Sequence, residues 1–229
     1  ILNSDNESGK LEATVKVSSI ASKDVSVHLV MKDITDKVVL ESNIALEEKD
    51  GKLIGFISED VTEVKAWDNH SPYLYKIVLE VRSADGEILE IVPYSVGFRR
   101  IEIIDKVMYL NGKRLVIVGV NRHEWNPKTG RNISIEDMVS DISCIKRNNI
   151  NSVRTCHYPD QIPWYYMCDE AGIYVMTETN LESHGSWQKL GAIEPFWNVP
   201  GSVPQWREAV VDRARSNYET FKNHTSIIF

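Results

Sequence analysis

The sequence predicts two domains of different class: an antiparallel β-sandwich over residues 1–98, then an α/β domain with a parallel sheet over residues 99–229. Three observations predict this division. Apolar residues alternate with polar ones up to about Gly97, strand and helix patterns alternate after it, and 229 residues suffice for two hydrophobic cores.

The first half carries runs with a period of two at residues 11–17, 25–31 and 73–81. Such alternation turns one face of each strand toward a core and the other toward water. Asp85-Gly86 lies between two of these runs, and this pair favours a tight hairpin. Several short strands without a convincing helix predict an antiparallel sandwich.

The second half opens with a hairpin, because Asn111-Gly112 separates residues 107–110 from residues 114–120. A helix is then predicted over residues 134–148, where Ser134 and Asp137 have the spacing of a capping box.

Further strand and helix units follow. Asp160 is expected to cap the second helix and Gly172 to end it, and the remaining elements are predicted as strands at 151–156, 173–176 and 226–229 and a helix at 202–222. Repeated βα units indicate a parallel sheet, either open and doubly wound or closed into a barrel, and periodicity leaves both possible. Glycine-rich phosphate loops do not follow these strands, which disfavours a nucleotide-binding sheet.

Composition excludes two classes of partner. The net charge of −7 argues against nucleic acid, and the longest apolar stretches are far shorter than the roughly 20 residues that cross a bilayer. Three cysteines without a CxxC pair indicate reduced thiols in a cytoplasmic protein. The chain starts without Met and stops at an apolar run, so we interpret it as an excised piece of a longer protein.

Polar, chemically capable residues follow each predicted strand of the second half. His123, His157, Glu182 and His184 all occupy such positions. Because the carboxyl ends of the strands of a (β/α)₈ barrel converge on one face, a barrel would bring these side chains to a single pocket. Glu182 and His184 could also turn toward one metal ion, although a short Glu-x-His taken alone favours a solvated loop.

These segments resemble the successive signatures of the family-2 β-galactosidases, namely GVNRHE at 119–124, NINSVRTCHYP at 149–159 and ETNLESHG at 178–185. The resemblance extends from Trp67 to Phe229. It implies an immunoglobulin-like β-sandwich followed by an incomplete (β/α)₈ TIM barrel that stops at the start of its fourth strand.

The resemblance also implies roles for individual residues. Glu182 and His184 would be two ligands of an active-site Mg²⁺, whose third ligand, the acid/base glutamate, would lie beyond residue 229. His123 and His157 would be the catalytic residues present, hydrogen-bonding the galactose as the oxocarbenium-like transition state forms. Arg154 would join them in binding substrate.

Retaining hydrolysis requires two carboxyl groups about 5–5.5 Å apart, which the resemblance places on strands four and seven of the barrel. We therefore expect the parent protein to hydrolyse terminal non-reducing β-galactosides such as lactose, and the 229-residue chain alone to be inactive. We expect the chain alone to be marginally stable or to associate, either as a homo-oligomer or with a complementing fragment, because an incomplete barrel exposes a sheet edge. Two alternatives stay open: a carbohydrate-binding or structural module with a degenerate barrel, and a β-glucuronidase.

Overall fold

The computed structural model describes residues 1–18, 24–183, 201 and 203–229, and the chain forms two compact units, Ile1–Leu115 and Val116–Phe229. The boundary predicted between residues 98 and 99 lies just before a β-hairpin that belongs to the first unit, and it stays a prediction.

The first unit is a β-sandwich built from antiparallel strands. One sheet has the order β1-β5-β4 and the other the order β3-β2-β6-β7, and a three-stranded sheet β10-β9-β8 follows them. The strands are β1 Gly9–Val17, β2 Val25–Lys32, β3 Val38–Ile44, β4 Leu46–Lys49, β5 Lys52–Val61, β6 Tyr75–Ser83, β7 Ile88–Val96, β8 Ile101–Ile104, β9 Val107–Leu110 and β10 Lys113–Arg114.

Alternation along the strands produces the sandwich core. In β2 every second side chain is fully buried, namely Val27, Leu29 and Met31, and these pack in one cluster with Leu11 and Ile57 of the other sheet. The two predicted hairpins form as well. Their turns have left-handed backbone at Gly86 (φ 83°), Asn111 (φ 52°) and Gly112 (φ 77°), which glycine and asparagine tolerate best.

The second unit alternates strands and helices around a parallel sheet. Its strands β11, β12 and β13 pair in sequence order, and Ile227 pairs in parallel with Val175 on the far side of β13. The elements are β11 Gly119–Arg122, α1 Ile135–Arg147, β12 Ser152–Thr155, α2 Ile162–Ala171, β13 Tyr174–Met176, a 3₁₀ turn Pro204–Trp206 and α3 Arg207–Phe221.

Strand order decides between the two architectures that periodicity left open. A doubly wound sheet reverses its order at a switch point, whereas a (β/α)₈ barrel adds each strand beside the one before it. The order observed here is sequential over all four strand positions, which is the barrel pattern. The helices cover one face through a core that includes Met138, Val153, Trp164 and Val175.

Local sequence signals set the ends of the helices. The Ser134 hydroxyl accepts a hydrogen bond from the Asp137 amide at 3.2 Å, and the Asp137 carboxylate accepts one from the Ser134 amide at 2.9 Å, so the predicted capping box forms. Gly172 ends α2 in a left-handed conformation, also as predicted.

Three local predictions are wrong. Residues 114–120 do not form one strand, because the side chain of Asn151 bonds the Val118 amide and the Val116 carbonyl and holds this backbone out of a ladder. Asp160 does not cap α2, whose first turn has no side-chain cap, because its carboxylate pairs with Arg122. The last predicted helix starts at Arg207 rather than at residue 202, which lies outside the described residues.

Among the described residues, no helix is both long enough and apolar enough to cross a bilayer.

Candidate functional site

Side chains from the carboxyl ends of three parallel strands meet in the second unit. His123 follows β11 and His157 follows β12, and their rings lie edge to face with centroids 5.4 Å apart. Glu178 and Glu182 follow β13, and their carboxylates lie 3.5 Å and 4.0 Å from Nδ1 of His157. The parallel order of the strands therefore gathers imidazoles and carboxylates at one edge of the sheet, as the sequence predicts.

Arg154 favours one tautomer of the neighbouring imidazole. Its Nη2 lies 3.1 Å from Nδ1 of His157. A guanidinium can only donate, so Nδ1 accepts in this arrangement and the ring proton resides on Nε2. His157 is partly exposed and thus offers an N–H donor to a ligand at the strand-end face.

Glu178 holds Arg154 in place. The Arg154 Nη2 donates to Oε1 of Glu178 at 2.9 Å and lies 2.8 Å from Oε2. The backbone amide of Glu178 donates to the buried hydroxyl of Thr155 at 2.9 Å, which ties β13 to the end of β12. The Glu178 Oε2 atom lies close to the Arg154 guanidinium, but the alignment is too poor for a hydrogen bond. This oxygen can therefore still accept a hydrogen bond from another donor.

Cys156 lies beneath the two histidines. The donor atoms of His123, Cys156 and His157 all lie within 4.8 Å of one another, and the cysteine is 1% exposed. Its thiol donates to the Arg122 carbonyl at 3.4 Å. Burial raises the pKa of the Cys156 thiol, so the group is protonated at neutral pH.

A charged cluster supports the site from below. The buried guanidinium of Arg122 lies 2.8 Å from Asp160, 3.0 Å from Asp141 and 3.5 Å from Glu124, and it stacks 3.7 Å above the Trp164 ring. One cation facing three carboxylates cannot compensate all of them. Burial, together with the charge of Glu124, outweighs Arg122 and raises the pKa of Asp160 to about 7.

Four of the five candidate site residues predicted from the sequence lie within the described residues. The structure brings His123, Arg154, His157 and Glu182 together, and their assigned roles stay predictions. His184 lies outside the described residues. Sequence reasoning missed Cys156 as a member of the cluster, although its place at a strand end next to a histidine was a usable signal.

Two family models match the chain. The model described as "Glycosyl hydrolases family 2" matches residues 1–99, and the model described as "Glycosyl hydrolases family 2, TIM barrel domain" matches residues 101–229. Together they cover both units, and the second confirms the barrel that strand order indicates.

Curated relatives resemble the chain over nearly its whole length. The chain is 59% identical to the β-galactosidase large subunit of Lactobacillus acidophilus over 204 residues, which cover 89% of this chain and 32% of the relative. It is 57% identical to the β-galactosidase large subunit of Lactobacillus helveticus over 216 residues, 94% of this chain and 34% of the relative. The chain thus spans about a third of the length of these relatives.

Solved structures share the fold at lower identity. A Bifidobacterium dentium β-glucuronidase complexed with coumarin-3-O-glucuronide superposes with a TM-score of 0.76 and 25% identity, covering 100% of this chain and 34% of that one. The sandwich followed by the start of a barrel is therefore an arrangement found in known enzymes.

Proposed function

Because the chain belongs to glycosyl hydrolase family 2, we propose that the protein is a retaining β-galactosidase that hydrolyses terminal non-reducing β-D-galactosides such as lactose. The observation that carries the proposal is the 57–59% identity to β-galactosidase large subunits across both units. The convergence of imidazoles at the strand ends supplies the donors that a sugar ring requires.

His123, His157 and Arg154 form the part of the sugar site that this chain supplies. With its proton on Nε2, His157 donates to a sugar hydroxyl, while Arg154 and Glu178 hold the ring in that orientation. Hydrogen bonds that strengthen as positive charge develops at the anomeric carbon lower the barrier. We infer that this fixed donor, rather than a proton transfer, is the contribution of His157.

Glu182 and His184 are the proposed ligands of Mg²⁺. The Glu182 carboxylate is about half exposed at the strand-end face and offers the hard oxygen that Mg²⁺ prefers, so its donor chemistry fits. When bound, the ion would supply positive charge beside the reacting sugar.

The rest of the protein is proposed to supply the two reacting carboxyl groups, on the fourth and seventh strands of the barrel. Relatives that are named large subunits suggest a complementing small subunit as the partner of this protein. We also place the protein in the cytoplasm, where the three free thiols of Cys144, Cys156 and Cys168 would stay reduced.

A β-glucuronidase is the second candidate, because solved β-glucuronidases share the fold. The charges at the site favour the galactosidase. The guanidinium of Arg154 is paired with Glu178, and Glu182 adds a further negative charge near His157. A glucuronate carboxylate would therefore meet like charge at the described part of the site, whereas a neutral galactose would not.

The test is a substrate panel on the protein expressed from the full reading frame that encodes this chain, with and without a co-expressed small subunit. We expect turnover of nitrophenyl β-galactoside at least 100-fold above that of the β-glucuronide, and β-galactose as the first product seen by NMR. Faster turnover of the glucuronide would support the second candidate. Galactose binding without any turnover would instead indicate a carbohydrate-binding module and contradict the proposal.

A further inference from the structure

We propose that His123, Cys156 and His157 form a binding site for a borderline-soft divalent cation such as Zn²⁺. Their three donor atoms already lie within 4.8 Å of one another, and they come from two neighbouring strand ends. This site is distinct from the proposed Mg²⁺ site, since none of its donors is a carboxylate.

The type of ligand selects the metal. Thiolate and imidazole are the ligands that Zn²⁺, Cd²⁺ and Co²⁺ prefer, whereas Mg²⁺ takes oxygen ligands and gives up its water reluctantly. Two imidazoles and one thiolate leave a fourth position of a tetrahedral ion for water. Exposed His123 lies on the open side of the cluster and buried Cys156 at its floor, so the fourth position faces solvent.

The donor atoms need little movement to close on an ion. Zinc bonds of roughly 2.0–2.3 Å place the donors of a tetrahedral site about 3.3–3.6 Å apart. The present limit of 4.8 Å exceeds this separation by roughly 1.2–1.5 Å, a distance that rotation of a half-exposed imidazole covers. Binding transfers the thiol proton to water and replaces the bond from Sγ to the Arg122 carbonyl with a bond to the metal.

Glu178 is placed to support His157 as a metal ligand. If Nε2 of His157 binds the ion, the ring proton moves to Nδ1, and Oε2 of Glu178 lies 3.5 Å from that atom. A carboxylate that accepts the second N–H of a ligating histidine is a common supporting feature of zinc sites. His157 therefore has two states: Nε2–H with Arg154 donating to Nδ1, or Nδ1–H donating to Glu178 with Nε2 on the metal.

Occupancy would take both histidines away from the sugar. This consequence rests on the proposed function, in which His123 and His157 bind galactose, but the binding of metal itself does not. The ion would thus act as a competitive inhibitor of hydrolysis. The degree of inhibition would depend on the concentration of free Zn²⁺ and not on that of Mg²⁺.

The first experiment detects the metal–sulfur bond directly in the protein from the full reading frame. Co²⁺ is titrated in the presence of excess Mg²⁺, and a thiolate-to-cobalt charge-transfer band in the near ultraviolet is expected at one equivalent. Cys156→Ser should abolish the band, and Cys144→Ser, which changes an exposed thiol elsewhere, should keep it. Glu178→Gln should weaken the binding of Co²⁺ by about 10-fold.

A second measurement needs no variant. X-ray absorption at the zinc edge of the wild-type protein with one equivalent of Zn²⁺ should show one sulfur at about 2.3 Å and two nitrogens at about 2.0–2.1 Å. The proposal would be overturned if the zinc shell contained only oxygen and nitrogen. It would equally be overturned if the cobalt band survived in Cys156→Ser or disappeared in Cys144→Ser.

The inhibition is tested separately. Zn²⁺ should raise the KM for a chromogenic galactoside without lowering kcat, and each variant is compared with its own metal-free rate. If the sulfur–metal bond is present but hydrolysis is absent altogether, the metal site stands and the proposed function fails. If hydrolysis is present but Co²⁺ gives no sulfur band, the proposed function stands and the metal site is wrong.

Discussion

The guanidinium of Arg122, at the end of the first barrel strand, lies 2.8 Å from the carboxylate of Asp160, which follows the second strand. Both side chains are buried, and the Asp160 Oδ1 atom has no hydrogen-bond partner. The contact joins the ends of the two strands that carry His123 and His157, so the protonation state of Asp160 bears on the stability of the site.

The free energy of unfolding should fall as pH rises from about 4 to about 7 because of Asp160. Its pKa is raised from 3.8 to about 7, chiefly by burial. Between these values the folded protein holds a proton that the unfolded chain has released, so the stabilisation is complete below about pH 4 and is lost as pH rises to about 7. Three units correspond to on the order of 4 kcal/mol.

The Asp160→Asn variant is the control for this titration. An amide cannot ionise, so the stability of the variant should not fall between about pH 4 and 7, and the variant should become more stable relative to the wild type as pH rises. The reactivity of the buried thiols of Cys156 and Cys168 in urea reports on the second unit alone. A wild-type profile that is flat, or that rises with pH, would contradict the assignment.

Asp169 is expected to anchor the start of the fourth strand. Its Oδ2 atom lies 2.7 Å from Nδ1 of His224, and its Oδ1 atom accepts the Ser226 amide at 2.7 Å. Asp169→Ala would leave both groups buried without this partner and should cost about 2–6 kcal/mol of unfolding free energy, since each unsatisfied buried polar group costs about 1–3 kcal/mol. Glu170→Ala changes the adjacent, exposed residue of the same helix and should alter the free energy of unfolding measured in urea by less than about 0.5 kcal/mol. Equal effects of the two substitutions would show that the anchor is unimportant.

Removal of the N-terminal cap of α1 should lower the free energy of unfolding much less than Asp169→Ala does. Ser134→Ala deletes the hydroxyl that accepts the Asp137 amide, with an expected loss of about 1 kcal/mol. Ser143→Ala is the matched control, because that hydroxyl bonds the Val139 carbonyl within the same helix and satisfies no free amide. Hydrogen exchange in the first turn of α1 should quicken in Ser134→Ala and stay unchanged in the control. The reverse order would refute the capping role.

Features that depend on neighbouring residues could be predicted from the sequence. The capping box of Ser134 and Asp137 and the hairpin at Asn111-Gly112 rest on local backbone chemistry, and both form. The failures involve partners far along the chain. Asn151 takes backbone groups that a strand would use, and Arg122 draws the carboxylate expected to cap α2.

The same limit applies to the site. Polar residues after each strand predicted that His123 and His157 would meet, because strand ends of a parallel sheet share one edge. The pairing of Glu178 with Arg154 and the place of Cys156 beneath the imidazoles depend on strand register and side-chain direction. Composition and residue spacing specify neither the register nor the side-chain direction, so only the structure shows where Glu178 and Cys156 lie in the site.

Glu178 is expected to act as a positioning residue whose charge also sets specificity. Glu178→Gln keeps the shape but leaves the charge of Arg154 uncompensated, so the orientation of His157 becomes less fixed. We expect kcat/KM for a galactoside to fall about 10- to 100-fold, mainly through kcat. Because a like charge is removed, the preference for galactoside over glucuronide should narrow. Glu136→Gln, the same charge change on the exposed first turn of α1, should leave both values within about two-fold. An equal fall in kcat/KM for the galactoside and the glucuronide would show that Glu178 has only a structural role.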